Sequence, residues 1–128
     1  MGVLIDTHIV LCLLRRSLAK DYPHIAGRLT DPETHGFVSV ATLWEIAIKT
    51  RLGKLDPGMP LDDIAGYLEA VGLTLLPIEV RHVIASVEPM PATRDPFDRL
   101  LLAQCQVENL VLATADRTLA QHRLALKV

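Results

Sequence analysis

The sequence is poor in the residues that define several common classes of protein. Its two cysteines, Cys12 and Cys105, have no partner at metal-ligand spacing and lie in apolar helical patterns, so we expect reduced thiols in the core. Aromatic residues make up only 4% of the chain, which predicts little sequence-specific stacking on unpaired bases. The formal net charge of −2 and the pI near 6.2 argue against nonspecific attraction to nucleic-acid phosphates.

Long apolar runs are also missing. The stretches "IVLCLL" and "RLLLAQ" fall far short of the roughly 20 residues that span a bilayer. The start "MGVLID" lacks the basic leader and apolar run of a secretory signal. We therefore expect a cytoplasmic protein without a membrane segment. Half of the residues are hydrophobic and 22% are charged, which predicts one folded domain over residues 1–128.

Short β-type runs alternate with longer helical patterns along the chain. The predicted strands are 2–5, 36–40, 73–78 and 110–114, and the predicted helices are 7–16, 41–52, 61–71, 79–87, 96–109 and a short one from Asp116. Strands separated by helices of this length predict right-handed crossovers and a parallel sheet covered on both faces. The expected class is α/β, a three-layer α/β/α sandwich with a central, mainly parallel sheet.

Two acidic residues follow predicted strands directly. Asp6 comes after the first strand, and Asp116 lies two residues beyond the fourth. Ligands bind beyond the carboxyl ends of the strands in open sheets of this type, so both acids are expected at the ligand-binding edge. Each is also a good N-cap for the helix that follows it, and the sequence leaves the two roles open.

A third acid lies inside a predicted helix. Glu45 has Lys49 four residues later, in the orientation of a solvated ion pair that contributes about 0.3 to 0.5 kcal/mol. The helical wheel, however, puts Ile48 and Leu52 beside Glu45, at the margin of the buried stripe. A carboxylate in that position is expected to be semi-buried and to need a partner.

The segment "DPFDR" places two aspartates three residues apart at the start of a predicted helix. Asp95 has the residue type of an N-cap, and Pro96 fits the first helical turn. Asp98 occupies the third position, where Glu or Gln is usual, so capping explains Asp98 less well. The positive end of the helix dipole favours an ionised Asp98, which also makes it a suitable ligand for a hard metal.

These acids can lie close together only if their negative charges are compensated. Two carboxylates about 4 Å apart repel by roughly 4 kcal/mol at an effective dielectric near 20, so a cluster requires cations or protons. An all-oxygen set selects Mg²⁺ or Mn²⁺ over zinc. Such an ion activates water and stabilises charge on a phosphate, so the chemistry predicted is phosphodiester hydrolysis.

Four segments in series carry a family resemblance: "LIDTH", "VSVATLWEIAIKTRLGKL", "RDPFDRLLLAQ" and "LATADRTL". Their order and approximate spacing resemble PIN-domain proteins, most closely the toxin ribonucleases of the VapBC toxin–antitoxin type, from residue 3 to about 120. The resemblance implies an Mg²⁺- or Mn²⁺-dependent endoribonuclease acting on single-stranded or structured RNA. It also implies a homodimer and a VapB-like antitoxin that lays a helix or arm across the acidic groove.

The resemblance assigns roles to individual side chains. It implies that the catalytic and metal-binding residues are Asp6, Glu45, Asp98 and Asp116, that Thr7, Ser39 and Thr114 support them, and that Arg99 contacts RNA phosphate. Helix capping is the alternative for Thr7 and Ser39, and ordinary surface charge is the alternative for Arg99. The chain departs from the family pattern in three places. Thr93 stands where many relatives carry His, and the first helix lacks a common aromatic residue. The segment "RLALKV" matches the final strand only loosely.

Two other functions remain open from the sequence. An aspartate-based phosphatase or phosphotransferase also places Asp after the first strand, but it usually has a second Asp where this chain has His8. A non-catalytic PIN-like interaction module would keep the fold and bind metal weakly or not at all. His8 is expected to be structural, and Leu43 and Trp44 are expected in the core.

Overall fold

A four-stranded parallel sheet forms the centre of the computed structural model, which describes residues 1–127. Its strands are β1 (Gly2–Ile5), β2 (His35–Ser39), β3 (Thr74–Leu76) and β4 (Val111–Ala113). They lie in the order β3-β2-β1-β4, and all three neighbouring pairs are parallel. The predicted α/β class and parallel sheet are confirmed.

Helices connect the strands. They are α1 (Thr7–Leu14), α2 (Leu18–Asp21), α3 (Pro23–Thr30), α4 (Val40–Arg51), α5 (Leu61–Ala70), α6 (Val80–Val83) and α7 (Pro96–Glu108), followed by a 3₁₀ turn at Leu119–Gln121. In the described part of the chain, no helix has the length and apolar character needed to cross a membrane.

The alternation of side chains along β1 separates two apolar clusters. Val3 and Ile5 point into a cluster built mainly from α1, α3, α4 and α5. Leu4 points to the other face, where it joins a cluster that includes residues of α7. Successive strand residues face opposite sides of a sheet, so these clusters are the two interfaces of a helix–sheet–helix sandwich.

The helix boundaries follow local sequence signals. Side-chain oxygens of Asp6, Ser39 and Asp95 accept hydrogen bonds from backbone N–H groups at the starts of α1, α4 and α7. Asn109 ends α7 in the left-handed conformation at φ 59°, which Asn adopts more readily than most residues. Gly53 follows α4 at φ 72°, a left-handed conformation that glycine adopts without steric cost.

Several predicted elements differ from the structure. The helix predicted at 79–87 is confined to Val80–Val83, a segment rich in β-branched residues of modest helix propensity. Two short helices, α2 and α3, were not predicted, although Pro23 occupies the favoured first position of α3. The segment "RLALKV" contributes one parallel bridge between Leu112 and Ala125, and its last residue, Val128, lies outside the described residues.

Candidate metal centre

The carboxyl edge of the sheet collects acidic side chains from four separate elements. Asp6 follows β1, Asp116 follows β4, Glu45 lies in α4 and Asp98 lies in the first turn of α7. All four line one open cavity of about 350 Å³. Asp6 and Glu45 are buried, Asp98 is half-buried and Asp116 is exposed. The structure thus brings together the four acids that the sequence singled out.

Capping hydrogen bonds hold two of these acids in place. One oxygen of Asp6 accepts from the backbone nitrogen of Ile9 at 3.0 Å. One oxygen of Asp116 accepts from Thr118 at 2.7 Å and from Leu119 at 3.0 Å. A carboxylate has two oxygens, so the capping bond fixes one of them and leaves the other available to the cavity. Capping and cavity lining are therefore compatible roles, not alternatives.

Glu45 is held more tightly than the other acids. Its Oε1 accepts from the hydroxyl of Thr7 at 2.6 Å, and its Oε2 lies 2.6 Å from the Nζ of Lys49. The hydrogen bond to Glu45 raises the pKa of Lys49. Because a buried carboxylate needs a partner, these bonds account for Glu45 in the wall of the cavity. Each of its oxygens already has one partner, so Lys49 competes with a metal ion for Glu45.

The negative charges are close enough to perturb one another. Burial, together with the charges of Asp95, Glu45, Asp6 and Asp116, raises the pKa of Asp98 to about 6. Burial also raises the pKa of Asp6, although hydrogen bonds from Thr114, Ile9 and Ala115 partly offset the rise. Repulsion of this kind is what a bound cation relieves.

The donor atoms fit Mg²⁺ or Mn²⁺ well. Asp6, Asp98 and Asp116 offer carboxylate oxygens around the same cavity, and these ions prefer oxygen ligands. The oxygens are not tightly clustered, however. Within residues 1–127, the only three potential ligands with donor atoms within 4.8 Å of one another are Glu79, His82 and Glu108. Uncompensated carboxylates repel, so a spread arrangement is expected for the protein alone.

The cluster of Glu79, His82 and Glu108 has a structural explanation. The buried His82 ring accepts the backbone N–H of Glu79 at Nδ1, at 3.0 Å, so its proton lies on Nε2, which is 2.6 Å from Glu108. Arg81 lies 2.9 Å from Glu79 and 2.6 Å from Glu108. A single guanidinium already pairs with both carboxylates, so this network joins α6 to α7 and weakens the electrostatic attraction of the cluster for a metal.

The supporting residues predicted from the sequence lie in different places. Thr7 lines the cavity and holds Glu45, and the hydroxyl of Thr114 accepts from the backbone nitrogen of Asp116 at 3.0 Å. Ser39 is buried and caps α4, with its hydroxyl accepting from Ala41 at 3.0 Å. Arg99 donates through Nε to the Thr93 carbonyl at 2.7 Å and lines a neighbouring groove instead of the acidic cavity.

Other residues at the site were not predicted to be there. Lys49, Tyr22 and Leu55 line the cavity, and Lys49 supplies its cation. The hydroxyl of Thr93 lies 3.4 Å from an oxygen of Asp98. Trp44 was predicted in the core, but its exposed fraction is 60%.

The matched family model is that of the PIN domain, over residues 3–124. The chain belongs to the PIN domain family. The structure is also similar to a chain in the crystal structure of VapBC2 from Rickettsia felis bound to a DNA fragment from their promoter, with a TM-score of 0.65 and 13% identity. The match covers 98% of this chain and 96% of the other, so the likeness in fold extends over nearly the whole of both chains. No curated protein matches the sequence.

Proposed function

We propose that this chain is a divalent-metal-dependent endoribonuclease that hydrolyses phosphodiester bonds in single-stranded or structured RNA, as the toxin of a toxin–antitoxin pair. One observation carries the proposal: Asp6, Glu45, Asp98 and Asp116, from four separate elements, line the same cavity at the carboxyl edge of the sheet. Ligand sites of open parallel sheets lie at this edge. Membership of the PIN family supports the nuclease class.

Asp6, Asp98 and Asp116 would hold Mg²⁺ or Mn²⁺, and Glu45 would join them after release from Lys49. The bound ion would lower the pKa of water and stabilise negative charge on the phosphate. The freed Lys49 ammonium, whose side chain is 44% exposed, would then be available to a phosphate oxygen. Thr7 and Thr114 orient Glu45 and Asp116 through their hydroxyls.

The likeness to a solved VapBC complex supports a cognate VapB-like antitoxin as a partner. The acidic cavity offers such a protein a place to insert a cationic side chain, because its carboxylates outnumber its one lysine. An Arg in that position would compete with both metal and RNA. Under the same proposal, the chain acts in the cytoplasm, both as a ribonuclease and as a toxin.

An exposed apolar face supports a homodimer. This face comprises Trp44, Val80, Val83, Ile84 and Met90, with exposed fractions between 60% and 79%. Trp44 contacts Phe97 of α7 edge to face at 5.6 Å, and an apolar groove beside α7 continues the surface to Val83, Ile84 and Met90. Large apolar patches on a soluble protein mark interaction sites. The face has both projecting side chains and a groove. In a two-fold contact between identical copies, the side chains of each copy can therefore pack into the groove of the other.

The activity is tested with purified chain and fluorescently labelled RNA in Mn²⁺ or Mg²⁺. The wild type is expected to cut the RNA, and Asp98→Asn and Asp116→Asn are expected to lower the rate by at least about 100-fold, because each removes a carboxylate from the cavity. Asp62→Asn is the matched control, since Asp62 is exposed at the start of α5, outside the cavity.

Three results would reject the nuclease assignment. Equal cleavage by the wild type and by a variant lacking Asp6, Asp98 and Asp116 would trace the activity to another source. Absence of cleavage in either metal, together with absence of metal binding, would favour the non-catalytic interaction module. Turnover of an aryl phosphate without RNA cleavage would favour the phosphatase.

A further inference from the structure

One wall of the acidic cavity serves none of the roles described so far. Alongside the carboxylates, the cavity is lined by His8 and Leu11 of α1, Tyr22 at the start of α3 and Leu55 in the loop after α4. The three apolar or aromatic side chains are only partly buried. The cavity is therefore divided in character, with acids on one side and a partly aromatic wall without carboxylates on the other.

His8 and Tyr22 form an aromatic pair within this wall. Their ring centroids lie 5.8 Å apart, and the rings are perpendicular. In an edge-to-face pair, the edge of one ring covers one face of the other, so most of the four ring faces remain free for other contacts. Tyr22 packs on the apolar core while His8 is exposed. The pair is thus anchored on one side and open on the other.

Burial alone does not account for the wall. Leu11 and Tyr22 pack against the edge of the core cluster but keep part of their surface in the cavity. The loop carrying Leu55 is held near α1, since Arg15 donates to the carbonyl of Asp56 at 2.6 Å. These side chains are therefore fixed in position and yet open to solvent, which is the arrangement of a preorganised binding surface.

We propose that His8, Leu11, Tyr22 and Leu55 form a subsite for one unpaired nucleobase of the RNA, next to the phosphate that is cut. This inference rests on the proposed nuclease function and adds a substrate requirement to it. Aromatic faces stack on any base, and partly apolar walls exclude water from it. Bases in a duplex are already stacked and paired, so the subsite selects RNA in which the base beside the cleaved bond is free.

The residues that line the cavity favour a nucleobase over a second metal or an anion. The wall itself adds no carboxylate, and the cavity as a whole carries more negative than positive charge. A phosphate would be repelled there without a cation, whereas an uncharged planar ring would not. The volume of about 350 Å³ is enclosed by both walls, so one base and its adjoining phosphate can occupy the two sides together.

The test compares binding of two short single-stranded RNAs that differ at one central position, which carries either a normal base or an abasic ribose. The wild-type chain is used with Ca²⁺ in place of Mg²⁺, so that a cation that prefers oxygen ligands is available to the acidic side while cleavage is suppressed, and affinity is measured by fluorescence anisotropy. The wild type is expected to prefer the complete RNA by roughly 5- to 150-fold, the range for one stacked base. Tyr22→Ala should abolish this preference, and Tyr22→Phe should keep it.

Further measurements distinguish a nucleobase subsite from the alternatives. Tyr67→Ala is the matched control, because Tyr67 is the other tyrosine and lines a different groove. Single-stranded DNA of the same sequence should show the same base preference, and duplex RNA should bind Tyr22→Ala and its parent equally. Equal affinity for complete and abasic RNA, or an unchanged preference in Tyr22→Ala, overturns the subsite while leaving the nuclease proposal standing. Failure to bind any RNA overturns both proposals. If antitoxin binding is the only property that Tyr22→Ala affects, the wall is assigned to a protein partner.

Discussion

The Oδ1 atom of Asp95 accepts hydrogen bonds from the backbone nitrogens of Phe97 and Asp98, at 2.8 and 3.3 Å. Asp95 thereby caps α7 and directs the helix so that the Asp98 side chain lines the acidic cavity. The two aspartates of "DPFDR" therefore contribute differently. One shapes the helix terminus, and the other presents a carboxylate to the cavity.

Replacement of Asp95 separates these contributions. Asp95→Ala is expected to lower the free energy of unfolding by about 1 kcal/mol, the usual cost of losing an N-cap side chain, whereas Asp95→Asn should keep most of the cap. Urea denaturation of both variants measures the difference. Asp98→Asn should leave the stability of the metal-free protein close to that of the wild type or higher, because it removes a half-buried repelled charge. Identical unfolding curves for the Ala and Asn variants of Asp95 would contradict the capping role.

The network between α6 and α7 predicts a dependence of stability on pH. The hydrogen bond from His82, together with Arg81, lowers the pKa of Glu108 below its usual value of 4.5. The unfolded chain therefore binds more protons than the folded chain between those two pKa values, so this contribution to stability is present above pH 4.5 and is lost as the pH falls through the lowered pKa. Glu108→Gln should remove that part of the acid dependence.

Glu108→Ala provides the companion measurement. It leaves the Nε2–H of buried His82 without its partner at 2.6 Å, which is expected to cost about 1 to 3 kcal/mol at neutral pH. Glu108→Gln keeps an acceptor oxygen and should cost less. Thermal unfolding at neutral pH and below pH 4.5 distinguishes the variants. If wild type and Glu108→Gln lose stability in parallel on acidification, Glu108 is not the group responsible.

The apolar face predicts the oligomeric state. Light scattering is expected to give the wild type twice the 14.1 kDa mass of one chain. The double variant Val83→Asp, Ile84→Asp should be monomeric, since it places charges in the centre of the buried contact. Leu52→Asp is the control, because Leu52 is 63% exposed and lies outside the apolar face. A monomeric wild type, or an aspartate variant with unchanged mass, would refute the homodimer.

Local signals in the sequence were sufficient for the elements that carry the site. β1 matches its predicted bounds, and α4 and α7 match theirs within a residue at each end. The starts of α1, α4 and α7 each have a capping side chain, at Asp6, Ser39 and Asp95, next to a periodic apolar pattern, which is the information that fixes a helix start. The placement of Asp6 and Asp116 at one edge followed from the parallel sheet alone.

Other features depend on contacts that periodicity does not encode. Trp44 contacts Phe97 of α7 but stays 60% exposed, and a helical wheel cannot tell which apolar side of a helix remains open. The pairing of Lys49 with Glu45 was foreseen as a surface ion pair, but the contact of Glu45 with Thr7 spans 38 positions and buries it. Tyr22 reaches the cavity only through α3, an element the sequence pattern did not predict.

The central claim is that the cavity acids hold a divalent cation, and calorimetric titration of the purified protein with Mn²⁺ tests it most directly. The wild type is expected to show saturable binding of Mn²⁺. Asp98→Asn should lose that binding, while Asp62→Asn should retain it with unchanged affinity. Binding that persists equally in Asp98→Asn, or a wild type that binds no Mn²⁺, would contradict the account.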